Sequence, residues 1–169
     1  MITITESGVD FGPFEEESVF RVEKSPSVTS LKGIKTCEFA WWRNDGNQLA
    51  FIEAKSSIPN SRRSPDEFEE YFISMLEKFD NSLQVLLIGT QGRRDKLSAE
   101  LGNEIAVLNW QQAQILFYLV IPAVPKEYLS PLTDKLRTTL SRQLTIWQAN
   151  AFVINEQMAR EKGLLVEAA

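Results

Sequence analysis

Histidine is absent from this 169-residue chain and cysteine occurs once, at Cys37. Without imidazole, the usual base of Ser and Cys triads and a common zinc ligand are missing. A single thiol also excludes an internal disulfide. Chemistry at neutral pH must therefore rest on carboxylates, Lys, Tyr or hydroxyls, with a hard cation held through oxygen as the natural helper. Long apolar runs are lacking too, and the longest, around 115–121, falls far short of a membrane span. The opening residues, MITITESGVD, carry neither a basic n-region nor an apolar h-region, which predicts a cytoplasmic protein with no membrane association. No repeat, low-complexity stretch or Gly/Ser/Pro linker interrupts the chain, so one domain over 1–169 is expected. The charge balance, 18 Lys and Arg against 23 Asp and Glu for a net −5, opposes a blanket attraction to nucleic acid. It leaves room for local basic patches at Arg62 and Arg63, at Arg93, Arg94 and Lys96, and at Lys135, Arg137 and Arg142.

The residues that are present describe alternating strands and helices. Residues 1–17 contain Gly8, Gly12, Pro13 and three consecutive glutamates, and read as an irregular or short helical lead-in. The 18–24 segment reads as a first strand, broken by Ser25-Pro26-Ser27. The apolar runs 33–43 and 48–56 flank Asn44-Asp45-Gly46-Asn47, where a two-residue turn at Asp45-Gly46 predicts a hairpin. A loop over 56–65 ends at Ser64-Pro65, a cap and first-turn proline. Beyond it Phe68, Phe72, Met75, Leu76 and Phe79 recur at helical spacing, while Asp66, Glu67, Glu69, Glu70 and Lys78 take other faces. This helix either runs on to Gly89 or yields to a short strand at 85–88. A helix is predicted over 93–101, a buried central strand over 113–121, a leucine-rich helix over 128–147 and a last strand over 151–154. Asn155 is placed to cap a short closing helix ending near Gly163, with a tail to 169. The expected class is α/β, a mixed central sheet in which a three-stranded antiparallel meander is followed by α-β-α-β.

The hairpin permits a register calculation. A turn centred on Asp45-Gly46 pairs residues whose numbers add to 91, so Phe39 faces Ile52, Trp42 faces Leu49 and Glu38 faces Glu53. Side chains alternate, so Glu38, Glu53 and Lys55 share one sheet face. Two carboxylates opposed on neighbouring strands repel unless something cationic lies between them. Lys55 is one candidate for that role and a divalent cation bound by both acids is the other. Cys37 falls on the opposite face, where a buried inert thiol is expected.

Glu38, followed across the hairpin by Glu53-Ala54-Lys55, resembles the PD-(D/E)XK, or restriction-endonuclease-like, nuclease superfamily. Its pattern is an acid on the second core strand and acid-x-Lys on the third. The resemblance extends to the inferred element order over 18–154, and it departs in having Glu at the first acid and Cys37 where Pro is usual. It implies a restriction-endonuclease-like fold and metal-dependent phosphodiester hydrolysis, of DNA ahead of RNA. It further implies Mg²⁺, with Mn²⁺ as the substitute, on Glu38, Glu53 and the Ala54 carbonyl, and Lys55 orienting or deprotonating the attacking water. Ser56, Arg62 and Arg63, just beyond the Lys strand, are the candidate nucleic-acid contacts. The superfamily's habits point to genome defence or mobile-element biology. A small acidic domain has little surface for gripping a duplex, so a homodimer or a subunit of a larger complex is expected.

Other readings stand beside this one. The triad also suits a structural ion cluster in a catalytically inactive nuclease-like scaffold that serves as a protein-interaction or assembly module. A Schiff-base role for Lys55 ranks last, because neighbouring glutamates raise rather than depress a lysine pKa. Trp41 and Trp42 read as packing on opposite sheet faces ahead of stacking on bases, and the leucines of 128–147 as core ahead of a dimer seam.

Overall fold

A computed structural model describes residues 1–167 and shows a mixed α/β protein. The strands are β1 (Ile2–Glu6), β2 (Val9–Phe14), β3 (Val19–Phe20), β4 (Phe39–Arg43), β5 (Gln48–Ala54), β6 (Gln114–Val120) and β7 (Asn150–Ile154). The described residues form seven α-helices, α1 (Pro26–Thr29), α2 (Pro65–Thr90), α3 (Asp95–Ala99), α4 (Asn103–Ala106), α5 (Lys126–Thr139), α6 (Ser141–Trp147) and α7 (Glu156–Glu161). None of these helices is long and apolar enough to cross a membrane.

Five strands make one mixed sheet in the order β3-β4-β5-β6-β7. The first three form an antiparallel meander, and β5-β6 and β6-β7 are parallel. Parallel neighbours need long crossovers, which α2 supplies between β5 and β6, and α5 with α6 between β6 and β7. Strand β5 is covered on both faces, which is why it reads as a continuous apolar run. Leu49 and Phe51 pack into a core with Phe72, Met75 and Phe79 of α2, whereas Ala50, Ile52 and Ala54 join Ile4, Phe11 and Phe14 on the opposite face. Trp42 and Trp41 divide between these two cores as alternation requires.

Several sequence expectations are corrected. Residues 2–14 of the lead-in are a β-hairpin, not an irregular or helical stretch. Ser7 and Gly8, at φ 49° and 81°, make its tight turn, and a register shift between Ile2 and Ile4 hides the alternation. The first sheet strand shrinks to Val19–Phe20, and the supposed breaker Ser25 caps α1 by accepting the Val28 N–H. The β4-β5 ladder keeps the predicted register, Phe39↔Ile52 to Arg43↔Gln48. Its loop differs, however: a 3₁₀ turn over Asn44–Gly46 puts the left-handed residue at Asn47, φ 48°, rather than at Gly46. Helix α2 is continuous through Gly89, without a strand at 85–88, and the Ser64 side chain makes no cap bond. The predicted 128–147 helix divides at Leu140, whose ψ of 9° bends the chain. Asn155 does cap α7, accepting the Met158 N–H. Of the predicted tail, 168–169 lie outside the described residues.

Gly102 marks a tight approach. A Cβ there would stand 2.5 Å from the Glu17 carbonyl oxygen, backbone against backbone, so neither neighbour can rotate away. Gly102→Ala is expected to destabilise the protein by about 2 kcal/mol, as overpacking does. Urea denaturation checks this, and an unchanged midpoint would show that the segment yields.

Candidate functional site

Glu53 occupies the penultimate position of β5, one residue past the end of the antiparallel ladder with β4 and opposite Leu119 of the parallel neighbour β6. Alternation after Leu49 and Phe51 turns it toward α2, and packing leaves it 0% exposed. A lone buried carboxylate is costly unless it is paired. Two ammonium groups meet the same oxygen: Lys78 Nζ of α2 lies 2.6 Å from Oε1, and Lys55 Nζ lies 3.1 Å from it. The second oxygen, Oε2, is buried and has no hydrogen-bond partner among the described residues.

Glu38 stands one residue before β4, and its N–H donates to the Ile52 carbonyl at 3.0 Å. The ladder therefore ends at Phe39↔Ile52, and the predicted Glu38–Glu53 ladder pair does not form. The two carboxyl groups still feel one another. Burial, a hydrogen bond with Glu23 and the charge of Glu53 push the Glu38 carboxyl up to about 8. Glu23, which accepts that hydrogen bond, is correspondingly held below its ordinary value. Cys37 anchors this approach: its N–H donates to Ser82 Oγ at 2.8 Å, and the Ser82 hydroxyl donates to the Lys78 carbonyl. Burial pushes the Cys37 thiol well up, as suits an inert core residue.

The structure thus brings Glu38, Glu53, Ala54 and Lys55 to one end of the sheet, with Ser56 exposed directly after them. Arg62 and Arg63 are exposed, with their backbone N–H groups held by Asn60 Oδ1, and Arg62 borders a cavity with Phe68 and Tyr128. Neither arginine makes a hydrogen bond or ion pair to the acids among the described residues. The Asn60 side chain fixes this loop as an Asx turn.

Three site residues escaped the sequence reading. Lys78 was assigned to the polar side of its helix, yet its side chain is only 14% exposed. It lies three residues after Met75, at the margin of the apolar stripe, and that spacing was the available signal. Burial disfavours its ammonium, but the hydrogen bond and charge of Glu53 outweigh this and raise its pKa. Tyr71, two turns earlier on α2, has a buried hydroxyl without a partner among the described residues, and burial and the Glu53 charge push its pKa up. Glu23 carries no sequence signal, because the 18–24 pattern reads as strand while Val22–Lys24 folds as a 3₁₀ turn.

Among the described residues no three Asp, Glu, Cys or His side chains converge as a ready-made metal cage. Mg²⁺ does not require one, since it commonly takes one or two carboxylates and keeps its waters or substrate oxygens. The unpartnered Glu53 Oε2 is an oxygen donor of that kind, and the neighbouring Glu38 carboxyl becomes one on releasing the proton it holds up to about pH 8.

The Glu38 proton makes stability depend on pH in a defined direction. The folded group titrates near 8 and the ordinary value is 4.5, so between these the folded chain binds the extra proton. Stability of the metal-free protein should therefore fall as pH rises from about 4.5 to about 8. Glu23, held low, acts oppositely, losing its contribution as pH drops below 4.5. Thermal unfolding in EDTA at either end of the upper window checks this. Glu38→Gln should flatten the slope, and a slope of opposite sign would contradict the raised Glu38 pKa.

No family model, curated protein or solved structure matches this chain.

Proposed function

We propose that this protein is a metal-dependent phosphodiester hydrolase of the PD-(D/E)XK kind, acting on DNA ahead of RNA. The observation that carries the reading is Glu53 Oε2, a buried carboxylate oxygen without a partner among the described residues, beside Glu38 and Lys55 at a sheet end. The sheet order, an antiparallel meander continued by two parallel strands, supports a restriction-endonuclease-like fold. Glu38, Glu53 and the Ala54 carbonyl would supply oxygens to Mg²⁺ or Mn²⁺. Bound there, the cation would polarise the phosphoryl group and stabilise its developing charge. Lys78 neutralises Glu53 from the helix side, which leaves the more exposed Lys55 ammonium to orient the attacking water by hydrogen bonding. With a net charge of −5, a homodimer or a larger complex would add the grip on nucleic acid.

The test is calorimetric titration with Mg²⁺ and Mn²⁺, followed by incubation of the same protein with mixed DNA and RNA substrates. Binding with metal-dependent cleavage is the expected result. A second reading, an inactive scaffold serving assembly, draws on the double lysine neutralisation of Glu53. Absence of both metal binding and cleavage would decide for it.

A further inference from the structure

We propose that the cavity between the loop after β5 and the start of α5 holds one unpaired nucleotide of a nucleic-acid strand, its base on Tyr128 and its phosphate at Arg62. This rests on the phosphodiester reading and deepens it by naming what the protein grips. The cavity encloses about 610 Å³, within the ordinary range for ligand sites. Two of its walls start from one sheet end. Ile58 lies three residues beyond Lys55 and Val124 four beyond Val120, and the Lys55 N–H donates to the Val120 carbonyl at 2.9 Å. The carboxyl ends of parallel strands are where open α/β sheets hold their ligands.

The lining selects the occupant. No Asp or Glu lines the cavity, although the chain has 23 of them, and Arg62 is its only charged lining residue. Arg62 is exposed and has no ion-pair partner among the described residues, so its guanidinium is available to a phosphate. Asn60 Oδ1 accepts the Arg62 and Arg63 N–H groups at 2.9 and 3.0 Å, which fixes this wall before a ligand arrives. Tyr128, 57% exposed, is the one aromatic ring among the exposed large hydrophobic side chains of the described residues. An exposed ring beside an apolar wall that includes Phe68 is a stacking platform for a planar base. An apolar wall alone suits any hydrophobe, whereas the added guanidinium asks for an anion, and a nucleotide is both. Arg63, exposed and also without an ion pair among the described residues, offers a second cation to the next phosphate of a strand, which a free nucleotide lacks. The other large cavities lack this combination. One is lined by Glu16, Glu17 and Glu100, and in the other Lys35 and Lys78 are already paired with Glu77 and Glu53.

The test uses a short single-stranded DNA carrying 2-aminopurine, whose emission is quenched on stacking, in Ca²⁺ and again in EDTA across a salt series. Wild type is expected to bind and to change the emission. Tyr128→Ala should weaken binding about tenfold and abolish the emission change, while Tyr128→Phe keeps both. Arg62→Gln should weaken binding and lower the salt slope by about 0.7. Ile146→Ala, at an exposed apolar side chain that does not line the cavity, should stay within about twofold of wild type. Thermal unfolding confirms that the variants fold. Binding and emission unaltered by Tyr128→Ala, or equal weakening by Ile146→Ala, overturn the pocket and leave the acids' role standing. Equal competition by a free deoxynucleoside monophosphate overturns the strand as occupant. No binding by wild type overturns the pocket, and incubating the same preparation with DNA and Mg²⁺ shows whether the phosphodiester reading falls with it.

Discussion

Glu53→Gln is expected to remove Mg²⁺-dependent cleavage, a loss on the order of a thousandfold, the scale seen when one charge-stabilising group leaves a catalytic site. The substitution keeps the shape and the oxygen that Lys78 and Lys55 contact, but it deletes the negative charge that makes Oε2 a cation ligand. Calorimetry of the same variant should show metal binding lost or strongly weakened. Thermal unfolding supplies the control, because a folded variant that neither binds nor cuts isolates the charge. Retained cutting would remove Glu53 from the chemistry, whatever role the sheet end then serves.

Lys78→Met is expected to destabilise the protein by about 3 kcal/mol, since breaking a buried ion pair strands the remaining charge. Glu53 has no exposure of its own and Lys78 provides its shortest contact, 2.6 Å. Lys55 remains at 3.1 Å and holds the loss below that of complete isolation. For a chain of this length the melting midpoint should drop by roughly 6–12 °C. Combining Lys78→Met with Glu53→Gln should cost less than the sum of the two, because no unpaired carboxylate is left behind. Strict additivity would show that the lysine stabilises α2 by packing its stem rather than by pairing.

These two residues mark where local pattern stops. Glu53 and Lys55 were legible because a strand has a period of two and the hairpin register followed from the loop's position alone. That register survived even though the turn formed differently, with Asn47 rather than Gly46 in the left-handed conformation. Glu38 was legible as a residue but not in its pairing, since the ladder stops one position short of it. Lys78 was read with the solvated face, because a helical wheel gives direction around an axis and not what stands opposite.

By itself the sequence determined the class of chemistry open to this protein, through the absence of His and the placing of Glu38, Glu53 and Lys55. It also determined the hairpin register, the buried strand at Gln114–Val120 and the closing cap at Asn155, all of which depend on neighbours close along the chain. Only the tertiary structure decided that Glu23 and Glu38 stand close enough to shift one another's titration, that Lys78 reaches Glu53 across 25 residues, and that the lead-in forms a hairpin covering the sheet. It also set Arg62 along a cavity with Phe68 and Tyr128. The physical reason is that burial and charge pairing depend on distance in space, which periodicity along the chain does not encode.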